Sequence, residues 1–112
     1  MNLENAKAQM RKGVLEMCIL AIIAAEKEAY PSEIIGKLKR SKMLVVEGTL
    51  YPLLSRLKNS GLLTYSWVES LSGPPRKYYR LTGTGQQFLR ELNDSWQELS
   101  NSISSITKNM KK

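Results

Sequence analysis

The sequence contains no histidine and only one cysteine among its 112 residues. Histidine is the commonest general base and, together with cysteine, the usual zinc ligand. No pair of carboxylates stands at the spacing of a catalytic site, and Gly83 and Gly85 lack the rest of a dinucleotide-binding pattern. No set of residues in the sequence provides a nucleophile, a general base and a group that orients the base. The sequence therefore predicts a protein that is not an enzyme and that needs neither a metal ion nor a cofactor.

The single cysteine, Cys18, lies in an apolar run over residues 14–25, where we expect it to pack as a small hydrophobic side chain. This run contains Glu16 and is too short for a membrane span, which needs roughly 20 apolar residues. Residues 1–13 lack the small-residue cleavage site of a signal peptide. These features predict a cytoplasmic protein.

Acidic residues are scarce, since 10 stand against 17 basic ones and give a formal net charge of +7. The excess is concentrated in the middle of the chain: residues 30–82 hold nine cations and three carboxylates, and the rest is nearly neutral. A basic segment of this kind favours a polyanionic partner such as nucleic acid. A merely solvated cationic surface is the alternative. The length indicates one domain.

Two helices are predicted in the first part of the chain. Apolar residues at helical spacing predict a long helix over residues 3–25. The segment Tyr30-Pro31-Ser32-Glu33 has the early proline and the acidic residue of a helix start. The short linker 41–45 places this second helix beside the next one, as in a helix-turn-helix.

Residues 47–82 are the most informative segment, because they predict a helix, a two-stranded hairpin and the start of another helix. The first helix should begin near residues 46–48 and carry an apolar stripe of Leu50, Leu53, Leu54 and Leu57. The side chains predicted to point away from that stripe are Thr49, Tyr51, Arg56 and Lys58. Hydroxyls and cations on the outer face of a helix suit a nucleic-acid groove.

The hairpin should follow Gly61, because glycine readily adopts the left-handed conformation that ends a helix. Residues 63–68 alternate in the manner of a strand, residues 70–75 supply turn residues, and residues 76–81 form the return strand. The return strand carries Arg76, Lys77 and Arg80, so the hairpin resembles a wing that meets a phosphate backbone. The sequence thus predicts a mainly α fold with a small β-hairpin, a winged helix-turn-helix followed by a long C-terminal helix.

Thr82 or Thr84 can cap the last helix, and Thr84 with Gln87 fits a capping box. The helix carries a heptad seam of Leu89, Leu92, Trp96, Leu99, Ile103, Ile106 and Met110. A helix of about 25 residues spans roughly 38 Å and overhangs a compact domain of this size. The seam therefore predicts a homodimer, with Leu89, Leu92, Trp96, Leu99, Ile103 and Ile106 in the interface. The alternative is that this helix packs along the first helix of its own chain.

Three strings carry a family resemblance: RKGVLEMCILAII at 11–23, GTLYPLLSRLKNSGLL at 48–63 and RKYYRLTGTGQQFL at 76–89. They resemble the PadR family of bacterial transcription regulators, in its short class with a single C-terminal helix. The resemblance implies a winged helix-turn-helix that dimerises through its first and last helices, binds a two-fold symmetric operator and usually represses. Residues 1–82 would then form the DNA-binding domain and residues 83–112 the dimerisation helix, with residues 3–25 also in the interface.

The same resemblance implies that Thr49 and Tyr51 lie on the recognition helix and that Arg76 and Lys77 lie on the wing. The predicted DNA contacts are Tyr30, Ser32, Lys42, Glu47, Thr49, Tyr51, Arg56, Arg76 and Lys77. The expected partner is double-stranded operator DNA. A winged helix that has become a protein-interaction module is the rival hypothesis, and the polar, cationic outer face of the third helix favours DNA.

Trp96 occupies the position at which a multidrug-binding regulator of this class carries a tryptophan that stacks on flat aromatic drugs. The resemblance therefore implies a site for a small aromatic effector at the dimer interface. Its predicted residues are Val14, Cys18, Asn93 and Trp96. The alternative is that Trp96 is plain interface packing, because an aromatic residue at helical spacing usually buries area.

Overall fold

The computed structural model describes residues 1–110, which form helices around a two-stranded antiparallel sheet. The elements in chain order are α1 (Leu3–Glu26), α2 (Pro31–Arg40), α3 (Glu47–Asn59), β1 (Leu63–Ser70), β2 (Gly73–Leu81) and α4 (Gly83–Thr107). This order confirms the predicted mainly helical fold with a hairpin wing and a long C-terminal helix. The last two residues of the predicted segment 83–112 lie outside the described residues.

A single apolar core joins the first three helices to the hairpin. The largest fully buried side chains are Ile19, Leu20 and Ile23 of α1, Ile34 and Leu38 of α2, and Leu50 and Leu54 of α3. The predicted stripe on α3 is confirmed, with Leu53 only partly buried at its edge. Burial of each such side chain contributes about 1.5–3 kcal/mol to stability. The apolar stripe of α3 therefore stays in the core, and only the other faces of this helix are available to a partner.

The starts of α2 and α3 follow the sequence signals. The Tyr30 N–H donates to Glu33 Oε1 at 3.1 Å, and Pro31 is the first helical residue, where its missing amide is harmless. α3 begins at Glu47, inside the predicted range, and accommodates Pro52 within the helix. Gly61 has φ of 80°, the left-handed conformation expected at the end of α3.

The hairpin turn is tighter than predicted. β2 begins at Gly73 and includes Pro74 and Pro75, so the predicted turn over residues 70–75 is wrong. The register shifts between Val68 and Ser70, so that Pro74 and Pro75 of β2 stand against the single residue Glu69 of β1. Prolines are tolerated at such positions because the ladder there does not require their amide hydrogens.

Thr82 caps α4. Its Oγ1 accepts the Gly85 N–H at 2.9 Å, and its hydroxyl donates to the Gly61 carbonyl at 2.7 Å. The alternative cap at Thr84 is wrong, because Thr84 is already inside the helix and its capping box with Gln87 does not form.

The predicted seam of α4 divides into two parts. Leu89 packs against the core, and Leu92 and Trp96 are partly buried on α1 of the same chain. The later positions are more exposed: Leu99, at the edge of the contact with α1, is 54% exposed and Ile106 is 80% exposed. The alternative of packing along α1 thus describes the first half of α4 and leaves the apolar side chains of the second half largely exposed.

Candidate nucleic-acid interface

The start of α2, one side of α3 and the middle of the hairpin, toward its turn, line a common cleft of about 320 Å³. We call it the wing cleft, and its residues are Tyr30, Pro31, Ser32, Tyr51, Trp67, Pro75, Arg76 and Lys77. It brings together five of the nine residues predicted from the sequence to contact DNA. Sequence reasoning missed Pro31, Trp67 and Pro75 as members of this surface.

A β-bridge holds the start of α2 against the hairpin. The Ala29 N–H donates to the Tyr79 carbonyl at 3.1 Å, and the Tyr79 N–H donates to the Ala29 carbonyl at 2.8 Å. Tyr30 follows directly, and its ring meets the Tyr78 ring edge-on with centroids 5.2 Å apart. The bridge therefore fixes the first turn of α2 beside the wing.

Both cations of the wing cleft lie over aromatic rings. The Arg76 guanidinium carbon is 4.4 Å from the centre of the Tyr30 ring. The Lys77 Nζ is 4.4 Å from the centre of the Tyr65 ring and 5.3 Å from that of Trp67. Within residues 1–110, neither cation forms an ion pair with a carboxylate. Their charge therefore remains available to a polyanion.

The residues predicted to point outward from α3 lie on two different sides of the helix. Residues 49 and 51 differ by about 200° around a helix axis, so they cannot share one side of it. Tyr51 faces the wing cleft, whereas Thr49 lines a second cleft with Arg11 and Lys12 of α1. Arg56 also turns to α1, where its Nε is 3.3 Å from Glu16 Oε2. The single outward row predicted from the sequence is therefore wrong.

The other predicted contacts stand apart from the wing cleft. Lys58, which is predicted to point outward from α3 but is not among the nine predicted contacts, lies over Tyr65 with its Nζ 5.8 Å from the ring centre. Lys42, in the turn after α2, has φ of 64° and lines a cleft with Met43 and Trp96. Glu47 is the exposed first residue of α3.

Two residues of the predicted effector site come together. Val14 and Trp96 line a small cleft of about 140 Å³ between α1 and α4, and both also line an adjoining cleft of about 580 Å³. Cys18 and Asn93 line neither cleft. Cys18 lies four residues after Val14, so its side chain is rotated by about 40° around the axis of α1 relative to that of Val14. It turns toward Met43, with its Sγ 3.9 Å from Met43 Sδ.

Two groups, the partly buried Cys18 thiol and the buried Tyr79 phenol, have a raised pKa. Burial raises the pKa of the Cys18 thiol, so it is even less of a thiolate at neutral pH than a free cysteine. Burial also raises the pKa of the Tyr79 phenol, with smaller contributions from the Tyr65 and Tyr51 phenols. Both groups therefore act in packing and not as ionised site residues.

A helix-turn-helix followed by a hairpin, with two cations in its middle that form no ion pair within residues 1–110, defines a winged-helix protein of the nucleic-acid-binding class. Residues 19–91 match the sequence model of the transcriptional regulator PadR-like family. The chain belongs to this family of transcriptional regulators. The match confirms the predictions of a PadR resemblance and of a protein that is not an enzyme.

Solved structures and a curated relative agree with this assignment. The chain is 59% identical to a PadR-like transcription factor from Bacteroides fragilis, with a TM-score of 0.75 over 91% of this chain and 98% of that one. It is 31% identical to a PadR family transcriptional regulator from Eggerthella lenta, with a TM-score of 0.86 over 96% of this chain and 93% of that one. It is also 35% identical over 80 residues to the transcriptional regulator Rv3488 of Mycobacterium tuberculosis, covering 71% of this chain and 74% of that protein. Within residues 1–110, no helix has the length and apolarity needed to cross a membrane.

Proposed function

We propose that this regulator is a homodimeric repressor that binds a two-fold symmetric DNA operator through α3 and the wing. The wing cleft is the observation that carries the proposal, because it presents Tyr51 of α3 beside two cations that no carboxylate neutralises within the described residues. A protein-interaction module would instead favour a flat apolar patch at this place.

Each part of this surface has a separate task in the proposal. α3 enters the major groove, where Tyr51 and, on its other flank, Thr49 meet base edges. Arg76 and Lys77 neutralise phosphates and set the register without reading sequence. Two copies related by a two-fold axis would place their recognition helices about one helical turn of DNA apart. Selection of bound fragments from the source genome would identify the operator.

We expect loss of a wing cation and loss of a groove residue to differ in kind. Arg76→Ala or Lys77→Ala should weaken binding to all duplexes alike. Each should also reduce the magnitude of the slope of log affinity against log salt concentration by about 1, the contribution of one phosphate contact. Tyr51→Ala or Thr49→Ala should instead change the ratio of affinities between the operator and a scrambled duplex. Fluorescence-anisotropy titrations over a salt series measure both quantities.

The control for these variants is Lys108→Ala, which removes a cation after the end of α4, far along the chain from the wing. It should leave the affinity ratio unchanged and alter the salt slope less than the wing variants do. If all four variants bound the operator like the unmodified protein at physiological salt, α3 and the wing would not be the DNA-binding surface.

Dimerisation in the proposal uses residues 83–112 together with α1, and residues 1–82 read the DNA. The distal half of α4 supports this division, because its apolar side chains Leu99, Ile103 and Ile106 remain 46–80% exposed in the single chain. A second copy of the same helix offers the same apolar surface, which is the condition for a two-fold interface.

A small aromatic effector that relieves repression is a second part of the proposal. Trp96 and Val14 support it, since they line the two adjoining clefts between α1 and α4. A ligand held there would change operator affinity if it preferred one spacing of the two recognition helices over another. Stacking on an indole contributes on the order of 1 kcal/mol per face beyond the buried area, so we expect micromolar binding.

Tryptophan fluorescence tests the effector site. In a Trp67→Phe background, which leaves Trp96 as the sole tryptophan, planar cationic dyes should quench the emission. Trp96→Leu should abolish dye binding measured by the polarisation of the dye itself, and Asn93→Ala, at a residue outside both clefts, should preserve it. Absence of quenching in an intact dimer would identify Trp96 as packing only.

A further inference from the structure

Arg76 and Lys77 are neighbours on β2, so their side chains leave the strand on opposite faces. Each nevertheless lines the wing cleft, and each lies over an aromatic ring supplied by a different element. We propose that Tyr30 and Trp67 are positioning residues that hold these two cations in place before DNA binds. This inference rests on the proposed DNA-binding function and assigns to Tyr30 a role other than direct contact.

The geometry around Tyr30 gives its ring a fixed place. The bridge between Ala29 and Tyr79 anchors the backbone next to it, and the Tyr78 ring packs against it in a T-shaped pair with centroids 5.2 Å apart. One face of the ring then receives the Arg76 guanidinium at 4.4 Å. The interaction uses the ring and not the phenol hydroxyl, so phenylalanine should replace tyrosine at this position.

Lys77 has an equivalent platform on β1. Trp67 is its directly paired residue across the hairpin, and Tyr65 lies two residues earlier on the same face. Tyr65 also packs against the buried Tyr79, with ring centres 5.6 Å apart, so its replacement would disturb the core. Trp67 is mostly exposed and is the residue to vary.

Holding a long cationic side chain near its bound position removes conformational freedom before association. Less freedom is then lost when the cation meets a phosphate, which raises affinity without a new contact. An exposed cation–aromatic contact of this kind corresponds to a change of about twofold to fivefold in affinity. Because phosphates carry no sequence information, the effect should be equal on all duplexes.

Double-mutant cycles test the proposal on a mixed-sequence duplex of about 30 base pairs, long enough for a dimer spanning two half-sites. Tyr30→Leu should weaken binding about threefold in the unmodified protein and not at all in Arg76→Ala. Trp67→Leu should behave in the same way toward Lys77→Ala. Tyr30→Phe should bind like the unmodified protein.

The crossed pairs serve as matched controls. Tyr30→Leu should have its full effect in Lys77→Ala, and Trp67→Leu should have its full effect in Arg76→Ala. Coupling in the matched pairs alone supports the proposal. The proposal would be overturned if the effects of the matched pairs were additive, or if matched and crossed pairs were coupled equally. It would also be overturned if Tyr30→Phe bound as weakly as Tyr30→Leu, because that result would indicate a direct contact through the hydroxyl.

Two further measurements distinguish a loss of folding and a loss of DNA binding from a loss of the positioning role. Thermal unfolding of every variant shows whether α2 or the hairpin has been disrupted, and the Trp67 cycle stands on its own if Tyr30→Leu does not fold. Salt-dependent binding of the unmodified protein to the duplex reports on the proposed function separately. A protein that binds DNA but shows additive cycles would refute the positioning role alone.

Discussion

Replacement of Leu99 and Ile103 by aspartate is expected to convert the protein from a dimer into a monomer or an unfolded chain. These side chains are 54% and 46% exposed in the single chain, although both are large and apolar. In the proposed dimer they are buried, and each aspartate would place a charge in a desolvated interface, at a cost of several kcal/mol. Sedimentation velocity at micromolar concentration measures the change.

The matched control places two aspartates with the same spacing on the other side of α4. Gln97 and Asn101 precede Leu99 and Ile103 by two residues each, about 200° away around the helix. Gln97→Asp with Asn101→Asp should leave the dimer intact. A folded monomer of the unmodified protein at micromolar concentration would contradict the proposed interface, and so would equal effects of the two pairs.

The helices and strands could be predicted from the sequence because the signals that specify them are local. The spacing of the leucines in α3, the proline and glutamate at the start of α2 and the glycine after α3 each act within a few residues. The turn was misjudged because Pro74 and Pro75 usually indicate a turn, and only the irregular pairing opposite them allows them in a strand. The two candidate caps of α4 could not be separated either, because the choice depends on the Gly61 carbonyl 21 residues earlier.

The candidate site was only partly predictable, because its geometry depends on contacts between distant residues. Tyr30 and Arg76 are far apart in sequence, and the bridge from Ala29 to Tyr79 brings them together. Arg56 was expected in the DNA groove, but Glu16 on α1 attracts it to the other flank of α3. One signal for Trp67 was present, since an alternating strand pattern could have placed it opposite a cation of the return strand.

Gly85→Ala is expected to destabilise the protein strongly, for a reason that the sequence does not reveal. Gly85 is buried in the first turn of α4, and a Cβ there would lie 2.1 Å from the Leu62 carbonyl oxygen and 3.2 Å from the Leu62 Cα. That carbonyl accepts the Thr82 N–H at 3.1 Å, and the Leu62 N–H donates to the Leu57 carbonyl at 3.0 Å. The backbone cannot yield locally, so α4 would have to move away from the hairpin.

We expect a loss of about 3 kcal/mol or more in the free energy of unfolding, at the upper end for an overpacked site. Such a loss is a large fraction of the 5–15 kcal/mol that stabilises a typical domain. Thermal unfolding at one fixed protomer concentration measures it, because the stability of a dimer depends on concentration. Gly83→Ala is the control, since a Cβ at Gly83 meets nothing within 4 Å; alanine there should leave stability unchanged or raise it by up to about 1 kcal/mol. If the two variants melted at the same temperature, α4 would not begin against Leu62, and the placement of the dimerisation helix relative to the wing would have to be revised.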